Sequence, residues 1–149
     1  MSTKEKLEQS LKNAIRSRDE TRKRAIRMAL SGIKLAEVEK GQTLDESALL
    51  SIIQKEVKSN QETIVEARRA GREDMIATNE AEIAILREFL PKPLTTIELE
   101  VQALEAITEI GAKLPSDMGK VMKILIPRLE GRANGNDASE AVRILLQVK

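Results

Sequence analysis

Positively charged side chains and glycines occur together in one short stretch near the C-terminus, residues 117–135. Lys and Arg side chains bind phosphate, and so do backbone N–H groups in glycine-containing loops and at helix N-termini. The stretch therefore predicts a surface that contacts phosphate groups, or else a helix stop followed by a turn in which "GRANG" supplies the left-handed residues. Its candidate contact residues are Lys120, Lys123, Arg128, Arg132 and Asn134.

The pair Gly119-Lys120 is similar to the end of a nucleotide-binding phosphate loop, but the rest of that motif is missing. The motif needs four residues between its glycines, a Ser or Thr after the lysine, and a strand before the loop. Here Gly111 lies too far upstream, Val121 follows the lysine, and no strand pattern precedes it. Because these parts of the motif are missing, the sequence argues against a nucleotide-binding site.

The residue types that most often perform catalysis are missing. The 149 residues include no His and no Cys, so the usual nucleophile–base pairs and His-containing metal sites cannot form. The 24 acidic residues are spread along polar helix faces, as solvated carboxylates usually are. We therefore expect no catalytic residues, no metal and no cofactor.

A second group of cations lies near the N-terminus, where residues 1–34 hold ten basic and four acidic side chains. On a helical wheel, Lys23, Arg27 and Lys34 fall within about 40° of one another. They can be a solvated face whose aliphatic stems cover the edge of the core. They can equally be a second nucleic-acid contact, because repulsion between like charges costs stability unless an anion offsets it.

The elements that position these residues are predicted to be helices. Hydrophobic residues make up 41% of the chain and charged residues 33%, with Phe89 as the single aromatic residue. This composition favours helices over strands, and no segment alternates with a period of two. The sequence therefore predicts an all-α protein.

Apolar residues at helical spacing and polar capping patterns delimit seven predicted helices. Apolar positions that we expect to face a core include Leu7, Leu11 and Ile15 in the first helix, and Leu99, Val101, Leu104, Ile107 and Ile110 in the fifth. Capping patterns, in which Ser, Thr or Asp precedes Glu by three residues, occur at Ser2/Glu5, Thr43/Glu46, Thr95/Glu98 and Asp137/Glu140.

The sequence "LPKPL", residues 90–94, is the clearest boundary, because two prolines in three residues forbid a helix. We expect a multihelical N-terminal unit over residues 1–90, a connector over 91–95, and a small three-helix C-terminal unit over 96–149. The N-terminus is too polar for a signal peptide, and no apolar run approaches the roughly 18 residues that a membrane helix needs. The absence of cysteine suits a cytoplasmic protein.

Four motifs together resemble the YqeY-like family, small bacterial relatives of the tail of the GatB subunit of the tRNA-dependent amidotransferase. They are "RDETRKRAIRMALSGIK", "AGREDMI", "EIAILREFLPKPLT" and "DMGKVMKILIPRLEGRANG". The chain departs from the family's pattern at Lys123, where a second glycine is common, and at Asn136, where lysine is common.

The resemblance implies a tRNA-binding role, because the corresponding tail and similar domains of some glutaminyl-tRNA synthetases contact the body of tRNA. We therefore expect a freestanding tRNA-binding accessory domain that positions tRNA for an amidotransferase or an aminoacyl-tRNA synthetase. Two alternatives stay open. One is a helical protein–protein adaptor that does not bind RNA. The other is a carbon–nitrogen ligase with glutamine as amido donor, for which no nucleophile or ATP site can be named.

Overall fold

The computed structural model describes residues 1–147, which form seven α-helices and no strand. The predicted all-α class is confirmed. The helices are α1 (Thr3–Ser17), α2 (Glu20–Lys40), α3 (Glu46–Arg69), α4 (Glu73–Arg87), α5 (Thr96–Ile110), α6 (Met118–Leu129) and α7 (Gly135–Gln147), with a 3₁₀ turn at Pro115–Asp117. Within the described residues, no helix has the length and apolar character needed to cross a membrane.

Contacts between helices fall into two groups, Met1–Pro91 with α1–α4 and Lys92–Lys149 with α5–α7. We call these groups unit 1 and unit 2. The last two residues of the C-terminal unit predicted from the sequence, 148–149, lie outside the described part of the chain. That each unit folds on its own stays a prediction.

Unit 1 has an aliphatic core to which all four of its helices contribute. Helices α3 and α4 pack along each other, α2 packs against both, and α1 lies mainly on α2. A Cβ atom at Gly32 would lie 3.1 Å from Cγ2 of Ile52, so the missing side chain lets α2 approach α3 closely. The largest fully buried side chains of this unit are Leu7, Ile26, Ile33, Ile53 and Leu86.

Unit 2 is a three-helix unit in which each helix contacts the other two. Its core combines larger side chains of α6 and α7 with alanines, which let the helix backbones approach closely. The fully buried residues include Ala103, Ala106, Val121, Leu125, Ala138 and Val142. Helix α6 therefore packs on the core with one face, and its opposite, polar face carries the candidate lysines.

The buried face of α5 differs from the predicted one. Leu99 and Ile107 are buried as expected, together with Ala103 and Ala106, but Val101, Leu104 and Ile110 are exposed. Helix α5 carries two apolar stripes, and the one that contains the alanines fits closer against its neighbours. The position of the helix was predicted correctly, but the prediction of its buried face was wrong in part.

A smaller error of the same kind occurs in α1. Ile15 was expected beside Leu7 and Leu11, but it is 48% exposed, and Ala14 is buried instead. Residues four apart drift by about 40° per step around a helix of 3.6 residues per turn. Two such steps carry Ile15 about 80° from Leu7, whereas Ala14 lies within about 20° of it.

Two of the four predicted helix starts are correct. The side chain of Ser2 accepts a hydrogen bond from the N–H of Glu5, and Thr95 and Glu98 form a complete capping box. Helix α3 is capped by Asp45 instead of Thr43, because Asp45 directly precedes the first helical residue and its carboxylate accepts the N–H of Ala48. Helix α7 begins at Gly135, two residues before the predicted Asp137.

Candidate nucleic-acid interface

Lys120 and Lys123 lie one turn apart on α6 and are both exposed. On the opposite side of the helix Val121, Leu125 and Leu129 are buried, so packing fixes the direction in which the lysines project. Within the described residues, neither lysine has an acidic partner within 4 Å. The two ammonium groups are therefore available to an anionic ligand.

Arg128 lies on the same helix but is already paired. Its Nη1 lies 2.6 Å from Oε2 of Glu109, and its Nη2 donates to Oε1 of Glu109 at 2.8 Å. The hydrogen bonds from Arg128 lower the pKa of Glu109, and the same contact raises the pKa of Arg128. A phosphate would have to compete with a carboxylate from α5, so Arg128 is a weaker candidate than the lysines.

Arg132 ties the proline-rich connector to unit 2. Its Nε donates to the carbonyl of Lys92 at 2.8 Å, and its own carbonyl accepts the N–H of Leu94 at 2.8 Å. Arg132 lies in a loop, as predicted, but the sequence did not indicate these bonds, because they span some forty residues. The residue therefore has a structural role, whatever it binds.

Asn134 caps α7. Its side-chain Oδ1 accepts the N–H of Asp137 at 2.8 Å, and its backbone carbonyl accepts the N–H of Ala138. Directly after α6, Glu130 and Gly131 have left-handed backbones with φ of 49° and 76°, and this turn ends the helix. The loop between α6 and α7 therefore places the N-terminus of α7 a few residues from the lysine-bearing helix.

The N-terminal candidates Lys23, Arg27 and Lys34 all lie on α2. Lys23 is partly buried and lies 3.6 Å from Glu20, one turn earlier on the same helix. Arg27 and Lys34 are exposed, and no acidic group of the described chain lies within 4 Å of either. The structure thus leaves two of these three cations without an ionic partner.

Neighbouring arginines of α2 are paired with acids in α4 and at its C-terminal end. Arg22 donates through Nη1 and Nη2 to the two carboxylate oxygens of Glu88, at 3.2 and 2.9 Å, and Arg24 donates through Nε to Glu82 at 2.6 Å. Four of the ten basic residues in 1–34, namely Lys4, Arg22, Lys23 and Arg24, are therefore paired with acids within unit 1. The partners of Arg22 and Arg24 lie about sixty residues away, so the count alone could not show this.

A polar cleft of about 430 Å³ in unit 1 was not predicted as a site. Its walls come from α2, α3 and α4, and its charged lining residues are Arg24, Glu56, Asp74 and Glu82. Burial, with a contribution from the nearby Glu82, raises the pKa of Glu56. The polar run "KSNQET" in the middle of α3 was the available signal, because Ser59, Asn60 and Thr63 line this cleft.

The described geometry defines an all-α protein whose candidate site is a basic helix face. Within residues 1–147, no group of three or more His, Cys, Asp or Glu side chains is placed to hold a metal ion. The chain belongs to the YqeY-like protein family, whose model matches residues 4–146. The family that the four sequence motifs predicted is confirmed.

Curated relatives carry the name "Altered inheritance of mitochondria protein 41, mitochondrial". The protein of Lachancea thermotolerans is 34% identical over 113 residues, which cover 74% of this chain and 60% of the relative. The protein of Pyrenophora tritici-repentis is 32% identical over 133 residues, 86% of this chain and 71% of the relative. A protein of Saccharomyces cerevisiae is 31% identical over 96 residues, 64% of this chain and 52% of the relative.

The matched part of this chain therefore spans between 52% and 71% of the length of these relatives. Their names refer to mitochondria and do not mention tRNA or an amidotransferase. The predicted cytoplasmic location and bacterial type are not confirmed by them.

Proposed function

We propose that this chain is a tRNA-binding accessory domain that positions tRNA for an amidotransferase or an aminoacyl-tRNA synthetase. The observation that carries the proposal is the pair Lys120 and Lys123, exposed on α6 and without acidic partners in the described chain. Membership of the YqeY-like family supports tRNA as the ligand, through the resemblance to the amidotransferase tail. The amidotransferase or synthetase that receives the tRNA is likewise proposed.

Binding would rest on phosphate contacts and on the shape of a folded RNA. Lysine contacts to phosphate release counterions and give an affinity that falls with salt. Stacking on bases needs aromatic side chains, and the single aromatic residue, Phe89, is partly buried against the core of unit 1. A double-stranded or folded RNA therefore fits the chain better than an unstructured single strand.

The other candidate residues contribute unequally in this proposal. Arg132 and Asn134 shape the loop beside the lysines through their hydrogen bonds, and Arg128 is held by Glu109. Lys23, Arg27 and Lys34 on α2 are a second candidate surface. We expect α6 to carry most of the RNA affinity.

The test is a tRNA titration at several salt concentrations with Lys120→Ala/Lys123→Ala. The matched control is Lys55→Ala/Lys58→Ala, which removes two exposed lysines at the same spacing from α3. We expect the α6 variant to bind more weakly and to lose about 0.7–0.9 log units of salt slope for each phosphate contact removed. The control should retain the affinity and slope of the unchanged protein.

Equal behaviour of the α6 variant and its control would contradict the proposal. The adaptor alternative would then be favoured, since Ile97, Val101 and Leu104 of α5 leave an apolar surface exposed. Capture of the protein from cells, with bound RNA sequenced and bound protein identified in one eluate, would name the partner. Release of glutamate from glutamine in the presence of ATP and misacylated tRNA would support the ligase alternative instead.

The proposed location is the cytoplasm, although the named relatives are mitochondrial proteins. The proposal requires only that the protein is in a compartment where tRNA is aminoacylated or modified. Fractionation of cells that express the chain at its natural level tests the location.

A further inference from the structure

The polar cleft of unit 1 has a volume of about 430 Å³, which suits a small molecule. Helices α3 and α4 form two of its walls and are joined by the short turn at residues 70–72, and α2 contributes Arg24, Ala25 and Met28. None of the residues that line it belongs to the surfaces considered for tRNA. The cleft is therefore a separate candidate site, and the chemistry of its lining indicates what it can bind.

Four neutral side chains of the cleft already donate hydrogen bonds within their own helices. Asn60 and Asn79 each donate to a backbone carbonyl four residues earlier at 2.8 Å, and Thr63 and Thr78 do the same at 3.0 Å. In the described chain, no group donates to the amide oxygens of the two asparagines. The hydroxyl oxygens also keep lone pairs that can accept. These side chains therefore offer acceptors, and a ligand has to supply the donors.

Two carboxyl groups of the cleft lie near each other, and one of them lacks a partner. Glu82, whose side chain is 12% exposed, accepts a hydrogen bond from Nε of Arg24 at 2.6 Å. Glu56 is partly buried and has no hydrogen bond or ion pair in the described chain. Burial and the charge of Glu82 raise its pKa, because both disfavour the ionised carboxyl. A cation beside Glu56 would offset this cost.

The contact between Arg24 and Glu82 shows which kind of group these carboxylates bind. Arg24 presents a cation with N–H donors at the end of an aliphatic stem. The cleft also offers apolar contacts to such a stem, since Met28, Met75 and Leu86 are among its lining residues. The lining therefore fits a hydrocarbon chain that ends in an N–H-bearing cation.

The charges of the cleft leave one carboxylate in excess. Of its three acidic side chains, Glu82 is paired with Arg24 and Asp74 with Arg72, and Glu56 is unpaired. Asp74 lies eight residues before Glu82, which is about 12 Å along the axis of α4. Its ion pair is exposed, and exposed pairs contribute little. A second cationic group can therefore share Asp74 at the other end of the cleft.

We propose that the cleft of unit 1 binds an aliphatic diamine or polyamine, with one ammonium group at Glu56 and another toward Asp74. The amide oxygens of Asn60 and Asn79 lie between these ends and accept further N–H groups. A metal ion fits the lining less well, because within residues 1–147 no group of three or more acidic side chains is placed to hold one. The site does not depend on tRNA binding by α6.

Isothermal titration calorimetry on the RNA-free full chain tests the proposal, with 1,4-diaminobutane and spermidine as probes. The titration covers about 0.01–10 mM, because ligands of about six to ten non-hydrogen atoms are expected to bind with micromolar to millimolar affinity. We expect saturable binding at a single site. Binding of 1-aminobutane should be weaker, and 1,4-butanediol, which keeps the chain length but lacks the charge, should not bind.

Two variants of the cleft should weaken the binding of 1,4-diaminobutane. Glu56→Gln removes the charge and keeps the shape, so it should weaken binding about tenfold through loss of a charge-assisted hydrogen bond. Asn79→Leu removes an amide oxygen at constant net charge and should weaken binding several-fold. The matched control Glu62→Gln removes an exposed carboxylate of α3 outside the cleft and should bind like the unchanged chain. Circular dichroism of each variant checks that the helices are retained.

Three results would overturn the proposal. The first is no saturable binding of either amine to the unchanged chain. The second is equal weakening by Glu56→Gln and Glu62→Gln, which would show attraction to the acidic surface as a whole. The third is binding of 1,4-butanediol as tight as that of 1,4-diaminobutane. Lys120→Ala/Lys123→Ala should bind the diamine like the unchanged chain, so failure of this proposal is distinguishable from failure of the tRNA-binding proposal.

Discussion

The basic surfaces of α2 and α6 are similar in sequence and differ in structure. In α2, Arg22 is paired with Glu88 at the end of α4 and Arg24 with Glu82, and the unpaired Arg27 and Lys34 lie next to the exposed Met28 and Leu35. In α6, Arg128 is paired with Glu109, and Lys120 and Lys123 stay unpaired on the face opposite the core. The number of cations is therefore a poor guide to binding, because the residues around each cation decide which ligand can use it.

The largest expected effect is a loss of folding stability in unit 2. It comes from the core side of α6, opposite the face that carries Lys120 and Lys123. Leu125 is fully buried in α6, and Leu125→Ala should lower the free energy of unfolding of unit 2 by about 2–5 kcal/mol, because it removes apolar contacts and leaves a cavity. Thermal unfolding should then show unit 2 melting before unit 1. A single transition that shifts as a whole would show that the units do not fold independently.

A second prediction compares the two basic surfaces directly. Lys120→Glu/Lys123→Glu should weaken tRNA binding more than tenfold at moderate salt, because it removes two attractive contacts and adds two repulsive charges. Arg27→Glu/Lys34→Glu changes the net charge equally but should weaken binding much less. Filter binding or fluorescence anisotropy measures both. The reverse order of effects would move the RNA surface to α2.

A third prediction concerns Arg132, which sequence reasoning assigned to RNA and the structure ties to the connector. Arg132→Ala removes the hydrogen bond to the carbonyl of Lys92 and should cost unit 2 about 1 kcal/mol. A protease of broad specificity should cut residues 91–95 several-fold faster in this variant. Unchanged cleavage, together with weaker tRNA binding, would show that Arg132 contacts RNA and does not stabilise the connector.

The smallest expected effect is a pH dependence in the polar cleft of unit 1. Burial and the nearby Glu82 raise the pKa of Glu56, so the folded state favours the protonated carboxyl. The stabilising contribution of Glu56 is therefore present at low pH and is lost as pH rises through its folded-state pKa.

Glu56→Gln keeps the shape of the side chain without the charge, so it should raise the melting temperature slightly at pH 7 and not at all at pH 3–4. Calorimetry at both pH values measures the difference. The control Glu62→Gln, exposed on the same helix, should show no such dependence. A larger gain at low pH than at pH 7 would contradict the assigned direction.

The positions of the helices could be predicted from the sequence, because helix signals are local. Thr95 and Glu98 form the expected capping box, and Gly41 and Gly111 end α2 and α5 with left-handed backbones. The buried faces were harder to predict. Helix α5 has two apolar stripes of similar strength, and only the packing of Ala103 and Ala106 against neighbouring helices selects one of them.

The sequence by itself determined the all-α class, the family, the ends of most helices and the presence of two cation-rich segments, since each depends on residues near one another in the chain. The tertiary structure decided which cations remain unpaired. Arg24 meets Glu82 and Arg128 meets Glu109 across 58 and 19 residues, and spacing along the sequence carries no information on such pairs. Charge acts through space, so the fold had to bring the helices together before Lys120 and Lys123 could be distinguished from the arginines around them.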